Sequence, residues 1–177
     1  MDGIKIKQSI EDRTLEILTY QLGRRPRGEI KIGATCSYGA PSVIICPPIL
    51  GDEYFPTTYW LSCPTRKKKV SRLESDSWIS KLQNELDIRA DWQSRLKQAI
   101  EKQIAVRRGL IDIDDSKAAD MISSGIGGTA ESFNIKCIHA HLADYMISKI
   151  NPVGEKTANL TGEIQCDGEC VIEKSGD

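Results

Sequence analysis

The sequence lacks long apolar segments and carries almost no net charge. Its longest uninterrupted apolar run spans only residues 43–46, far below the roughly 18 residues that a membrane-spanning helix needs. The first residues contain no apolar stretch of the kind found in secretion signals. We therefore expect neither a membrane protein nor a secreted one, and we predict a cytoplasmic location. Aromatic residues make up only 6% of the chain, which leaves little surface for stacking nucleic-acid bases.

What is present is typical of one soluble globular domain. The 177 residues are 40% apolar and 28% charged, with a net charge of −1. Charge is unevenly distributed, because residues 20–75 contain nine cations and four acids, whereas residues 151–177 carry a net charge of −4. We predict a single domain over residues 1–161, followed by an acidic, cysteine-containing tail over residues 162–177. A chain of this length can build a core without relying on disulfides or a metal.

Apolar periodicity predicts an α+β fold, with a small antiparallel sheet packed against several helices. Alternating apolar residues indicate three strands, of which the first two form a hairpin, over residues 30–36, 43–46 and 57–62. Helical spacing indicates helices over residues 10–21, from residue 65 onward with a break near residues 87–89, and over residues 135–150. Pro152 is expected to end the last of these helices. A glycine-rich loop over residues 123–129 does not continue into the Gly-Lys-Ser/Thr of a phosphate-binding loop.

The helix predicted over residues 135–150 carries the chemically informative side chains. At 100° per residue, Cys137, His141 and Asp144 fall on one narrow face, and His139 points away from it. A thiolate and an imidazole four residues apart suit a divalent metal or a nucleophile with its base. The same spacing is also met by a small buried cysteine beside a histidine that bonds to the backbone. The helix alone leaves these alternatives open.

The other cysteines favour a metal site. Without an export signal the six cysteines are expected to stay reduced. Cys36 and Cys63 follow neighbouring strands, and strand ends that share an edge of the sheet could meet the helix that carries Cys137. We therefore predict a tetrahedral zinc site formed by Cys36, Cys63, Cys137 and His141, with Cys170 as a possible additional ligand. Cys166 and Cys170, spaced C-x-x-x-C, could instead contribute to an iron–sulfur cluster, and Cys46 is assigned to the core.

Two other functions remain open. In the first, the chain is an enzyme in which Cys137 is the nucleophile, His141 the base and Asp144 the orienting carboxylate, acting on an anionic substrate. In the second, Arg24 and Arg27 bind an anionic ligand, such as a phosphate or polyanion, or an acidic protein. These arginines could also act structurally by pairing with the acidic tail. The sequence does not identify a reaction or a partner.

Several short motifs resemble a bacterial domain-of-unknown-function family, number 501. They are QLGRRPRG at residues 21–28, CSYG at 36–39, FPTTYWLSCP at 55–64, SRLE at 71–74, KCIHAH at 136–141 and NPVG at 151–154. The resemblance spans residues 21–154 and implies a cytoplasmic bacterial protein without an assigned activity. It places the family's functional candidates at Arg24, Arg27, Cys36, Cys63, Cys137, His139 and His141. This chain departs from the family pattern at Asp144, because the pattern that it resembles has a histidine at this position in many members.

Overall fold

The computed structural model describes residues 11–111, 118–130 and 133–171. Within these residues the chain has the predicted α+β fold. The strands are β1 (Lys31–Thr35), β2 (Pro41–Ile45), β3 (Ile49–Leu50), β4 (Glu53–Tyr54) and β5 (Tyr59–Leu61). The helices are α1 (Asp12–Leu22), α2 (Pro64–Ser75), α3 (Trp78–Ile88), α4 (Ala90–Gly109), α5 (Ala118–Ser123), α6 (Ile138–Ser148) and α7 (Pro152–Thr161). None of the helices in these ranges combines the length and the apolar character needed to cross a membrane.

The sheet is antiparallel, in the order β1-β2-β5. The predicted hairpin is β1 and β2, in which Ile32 pairs with Ile44, and the predicted third strand is β5, in which Trp60 pairs with Ile44. Because β1 and β5 both run antiparallel to β2, they run in the same direction. Their carboxyl ends therefore lie at the same edge of the sheet, by which we mean the edge formed by strand ends and not an outer strand. This direction decides where the residues that follow each strand are placed. The short hairpin of β3 and β4 was not predicted.

Helix α6 packs across the sheet and against α7, and two glycines allow the close approach. A Cβ at Gly33 would lie 2.7 Å from Ile147 Cδ1 of α6, and one at Gly154 would collide with the carbonyl oxygen of His141. The main core lies between the sheet and the helices, where Leu82, Leu96 and Ile138 have no exposed surface. Helix α6 is therefore held from two sides.

Two helix boundaries differ from the sequence prediction. The helix predicted over residues 135–150 begins only at Ile138. Pro152 begins helix α7 rather than only ending the helix before it. Asn151 is the reason, because its side chain accepts a hydrogen bond from Gly154 N at 3.0 Å and so caps α7. Proline is well tolerated in the first turn of a helix, where its missing N–H would have had no partner.

The chain after α7 has no helix or strand as far as the structure describes it, to residue 171. Tyr38 donates a hydrogen bond to the Cys166 carbonyl oxygen at 2.9 Å. Lys69 donates to the carbonyl oxygens of Thr161 and Glu163 at 2.8 and 2.9 Å. These bonds attach residues 162–171, which we call the C-terminal segment, to the hairpin turn and to α2. The predicted boundary between domain and tail stays a prediction.

Candidate metal centre

Cys137 lies before α6 rather than inside it. Its backbone is extended, with φ −150° and ψ 116°, and it occupies the position immediately before the helix. The 100° rotation per residue therefore does not apply between Cys137 and the residues after it. The Cys137 Sγ atom lies 3.9 Å from His139 Nδ1. The prediction that His139 points away from Cys137 was wrong for this reason.

Glu74 joins this pair from helix α2. Its Oε1 atom accepts a hydrogen bond from Ile138 N at 2.8 Å and lies 3.2 Å from His139 Nδ1. The carboxylate thus satisfies one of the free N–H groups at the start of α6, where negative charge is favoured. Ligand atoms of Glu74, Cys137 and His139 all lie within 4.8 Å of one another. Sequence reasoning missed Glu74, although the SRLE motif contains it, because Cys137 is 63 positions further along the chain.

The orientation of the His139 ring is set by its second nitrogen. Nε2 lies 3.2 Å from the carbonyl oxygen of Lys67, which can only accept, so Nε2 carries a proton. Ser71 Oγ is 3.4 Å from the same nitrogen. In the neutral ring, the lone pair is then on Nδ1 and faces Cys137 and Glu74. The hydrogen bond with Cys137, together with the charge of Glu74, raises the pKa of His139 to about 9, while burial opposes the rise.

His141 and Asp144 belong to a buried polar network instead. His141 Nδ1 lies 3.2 Å from Asn151 Nδ2, and Asn151 Nδ2 also donates to Asp144 Oδ2 at 3.1 Å. Burial lowers the pKa of His141 to about 4 and raises the pKa of Asp144 to about 6. The predicted face of Cys137, His141 and Asp144 is not formed, because Cys137 precedes the helix and contacts His139.

A buried arginine, which sequence reasoning did not identify, organises the loop beside Cys137. Arg107 has no exposed surface and donates to Thr58 Oγ1 at 2.8 Å and to the carbonyl oxygen of Gly125 at 3.1 Å. Burial lowers the pKa of Arg107 to about 10. The loop held in this way passes Cys137, since a Cβ at Gly127 would lie 4.0 Å from the Cys137 Cβ. Arg107 therefore helps to define the surroundings of the thiol.

The predicted zinc ligands are divided among three places. Cys36 and Cys63 line a cleft of about 570 Å³ whose walls also include Cys166 and Cys170, and which we call the thiol cleft. Cys137 lies with Glu74 and His139, and His141 is in the core. Among the described residues, the group of Glu74, Cys137 and His139 is the one set of three or more potential ligands within 4.8 Å. The structure thus does not bring Cys36, Cys63, Cys137 and His141 together within 4.8 Å.

The two arginines predicted to bind anions lie on the surface. Arg27 Nη2 pairs with Glu53 Oε2 at 2.7 Å, and more than half of each side chain is exposed. This pairing is with β4 and not with the acidic tail. Arg24 is exposed and lies near Cys46, whose pKa burial raises to about 12. Cys46 packs in a small apolar cluster with Leu18 and Ile44. Anion binding at Arg24 and Arg27 stays a prediction.

Comparison with known proteins identifies a family. A family model described as "Protein of unknown function (DUF501)" matches residues 32–159. This confirms the resemblance seen in the sequence motifs, and the matched range includes Glu74, Cys137 and His139. No curated protein and no solved structure matches the chain.

Proposed function

We propose that this chain binds a divalent metal ion, preferably zinc, through Glu74, Cys137 and His139. The chain belongs to the DUF501 family of proteins of unknown function. The observation that carries the proposal is the orientation of the His139 ring. Its Nε2–H is directed to the Lys67 carbonyl oxygen at 3.2 Å, and its Nδ1 faces the other two ligands. Metal-binding histidines characteristically donate their second N–H to such an acceptor, which fixes the ring and the tautomer.

The three ligands suit zinc in both type and spacing. Zinc binds cysteine sulfur, histidine nitrogen and carboxylate oxygen, and bond lengths of about 2.0–2.3 Å place tetrahedral ligand atoms roughly 3.3–3.8 Å apart. The distances of 3.2 Å from Nδ1 to Glu74 Oε1 and 3.9 Å from Nδ1 to Cys137 Sγ fall close to this range. A thiolate and a carboxylate would neutralise the two positive charges of the ion.

Three protein ligands leave a fourth coordination position. Zinc sites with three protein ligands and a water molecule are the type used in hydrolytic catalysis, whereas purely structural sites usually have four protein ligands. About a quarter of the His139 and Glu74 side chains is exposed, so water can reach the site. We therefore assign the centre to the open type.

Metal analysis of protein purified under reducing conditions tests the proposal. Cys137→Ser and His139→Gln should each lose one equivalent of zinc per chain, because each removes a ligand. The matched controls are Cys46→Ala, which removes a thiol from the apolar cluster, and His141→Gln, which changes the other histidine. Retention of the full zinc content in both Cys137→Ser and His139→Gln would contradict the proposal, as would wild-type protein without zinc.

The contact between Cys137 Sγ and His139 Nδ1 also favours a second candidate, a thiol-dependent enzyme. In that case Nδ1 takes the thiol proton and the sulfur attacks an electrophilic carbon, whose bond to a leaving group breaks. The imidazolium, oriented by Glu74, returns the proton to that leaving group. Cys137 does not line the thiol cleft, and a nucleophile needs space for its substrate, so we rank this function second. Alkylation separates the two. A metal ligand becomes reactive only after a chelator is added, whereas a free nucleophile reacts quickly with or without the chelator.

A further inference from the structure

We infer that the thiol cleft is a second zinc site, formed by Cys36, Cys63, Cys166 and Cys170, that fastens the C-terminal segment to the edge of the sheet. All four side chains line the same cleft of about 570 Å³. The inference does not rest on the proposed centre at Glu74, Cys137 and His139, because the two sites share no residue. It assigns a closed, four-thiolate site of the structural type.

The fold brings two of the thiols to one sheet edge. Strands β1 and β5 run in the same direction, so Cys36, which follows β1, and Cys63, which follows β5, are placed at the same edge. Cys36 is held in the hairpin turn, where its N–H donates to the Ala40 carbonyl oxygen at 2.9 Å. Cys63 occupies the position before α2, whose first residue is Pro64. Both positions are therefore defined by regular structure.

The C-terminal segment supplies the other two thiols. The Tyr38 hydroxyl donates to the Cys166 carbonyl oxygen at 2.9 Å, and Gln21 Nε2 lies 3.5 Å from Cys170 Sγ. Gly168 lies between the two cysteines with φ +70°, and a Cβ there would be 3.0 Å from the Tyr38 ring. The segment thus turns at Gly168 so that both cysteines reach the cleft. It has no helix or strand of its own, so a metal would stabilise it substantially.

Two residues that line the cleft each carry one buried polar atom without a partner among the described residues. Gln21 is only 4% exposed and lines the cleft, and its Oε1 has no hydrogen-bond partner among the described residues. Arg66 Nε, from a second lining residue, is buried and is likewise without a partner there. A buried donor or acceptor left unpaired costs about 1–3 kcal/mol. These two atoms would gain a partner if the side chains rearranged when the site closes.

The cleft lining carries charges of both signs around the four thiols. Four thiolates around Zn²⁺ carry a net charge of −2. Arg66 and the positive end of the 12-residue helix α2 line the cleft and would offset part of this charge, whereas Glu163, Asp167 and Glu169 in the same lining would not. The amide of Gln21 is placed to donate to the Cys170 sulfur. Hydrogen bonds of this kind orient and stabilise metal-bound thiolates.

The thiols need a small adjustment to surround one ion. Sulfur atoms around zinc lie roughly 3.8 Å apart. In the described residues, no three of these cysteine sulfur atoms lie within 4.8 Å of one another. Rotation of a cysteine about its Cα–Cβ bond moves the sulfur by about 3 Å between staggered positions. The absence of regular structure after residue 161 allows the C-terminal segment to follow. Closure around one ion therefore requires side-chain rotation together with movement of the C-terminal segment.

Zinc titration of the full chain tests the inference, with the zinc-free reduced protein as the starting point. The wild type should bind two equivalents, and Cys166→Ser with Cys170→Ser should bind one. We expect zinc affinity at this site to fall by more than about 100-fold, since even loss of a residue that supports a metal ligand costs 10–100-fold. Cys137→Ser should retain the thiol-cleft equivalent, so failure of this site and failure of the proposed centre give different results. Cys46→Ala is the matched thiol control.

Measurements on the unaltered chain keep the test independent of whether the variants fold. Peptide mapping after alkylation should show Cys36, Cys63, Cys166 and Cys170 protected together by zinc and released together by a chelator. A glutamate-specific protease should cleave after Glu163 and Glu169 only after the chelator is added. Equal alkylation with and without zinc would overturn the inference. Iron with acid-labile sulfide at these thiols, in place of zinc, would overturn it as well.

Discussion

The buried pair of His141 and Asp144 predicts opposing effects of pH on stability. Both side chains are essentially inaccessible, and Asn151 bonds to each of them. Asp144 also faces Tyr59 of β5 and Arg107 and Lys102 of α4. Burial raises the pKa of Asp144 from 3.8 to about 6 and lowers that of His141 from 6.5 to about 4.

The signs follow from proton uptake. Between pH 3.8 and about 6 the folded state holds a proton on Asp144 that the unfolded state has lost, so this residue makes the protein less stable as the pH rises. Between about pH 4 and 6.5 the unfolded state holds a proton on His141 that the folded state lacks, so that residue makes the protein more stable as the pH rises. At 1.36 kcal/mol per pKa unit, each effect amounts to about 3 kcal/mol. In the wild type the two nearly cancel.

Single substitutions should expose each contribution. From pH 4 to 6.5, the unfolding free energy of Asp144→Asn should increase by about 3 kcal/mol relative to the wild type, and that of His141→Gln should decrease by a similar amount. Urea unfolding at half-unit pH intervals measures both, and the wild type removes the background from other groups. Changes in packing or hydrogen bonding add an offset that does not depend on pH. If both variants stay parallel to the wild type, the assigned titrations are wrong.

Three further predictions concern packing, the buried arginine and the surface arginines. Gly154→Ala should destabilise the protein by about 1–3 kcal/mol or more, since the added methyl group collides with α6. The control Gly109→Ala should not destabilise it, because nothing lies within 4 Å of the added Cβ. Equal melting temperatures of the two variants would contradict this prediction. Arg107→Met should lower the unfolding free energy by about 3–5 kcal/mol, because it leaves several buried oxygen acceptors unpaired at about 1–3 kcal/mol each. It should also weaken zinc binding by loosening the loop beside Cys137, and unchanged urea unfolding would contradict the prediction. If Arg24 and Arg27 bind a polyanion, replacing both with alanine should reduce the salt dependence of polyphosphate binding by about one unit per lost phosphate contact; an unchanged slope would exclude them.

The sheet could be predicted because its signals are local. Alternating residues in β1, the turn before Pro41 and the Cys63-Pro64 boundary each depend on a few neighbouring positions. The common direction of β1 and β5 then placed Cys36 and Cys63 at one edge, as expected. The short β3 and β4 strands, with two residues each, were too brief to give a period.

The candidate centre could be predicted only in part, because its geometry depends on where α6 begins. Apolar spacing places a helix near residues 135–150 but does not reveal that Cys137 stays extended. A shift of the start by three residues exchanges His141 for His139 as the partner of Cys137. Glu74 decides this start by accepting the Ile138 N–H, and no local pattern connects α2 with α6.

Helix α2 explains why the ligands form two proposed sites rather than the single one predicted. Cys63 precedes its first residue, whereas His139 bonds to Ser71 on its third turn. Eight residues of helix separate these positions by roughly 12 Å along the axis. A zinc ion lies only about 2.3 Å from a sulfur ligand, so one ion cannot bind both Cys63 and the cluster beside Ser71. The predicted set combined Cys36 and Cys63, on the side where α2 begins, with Cys137, which lies beside Ser71. Because α2 is rigid, Cys137 belongs to one proposed site and Cys36 and Cys63 belong to the other.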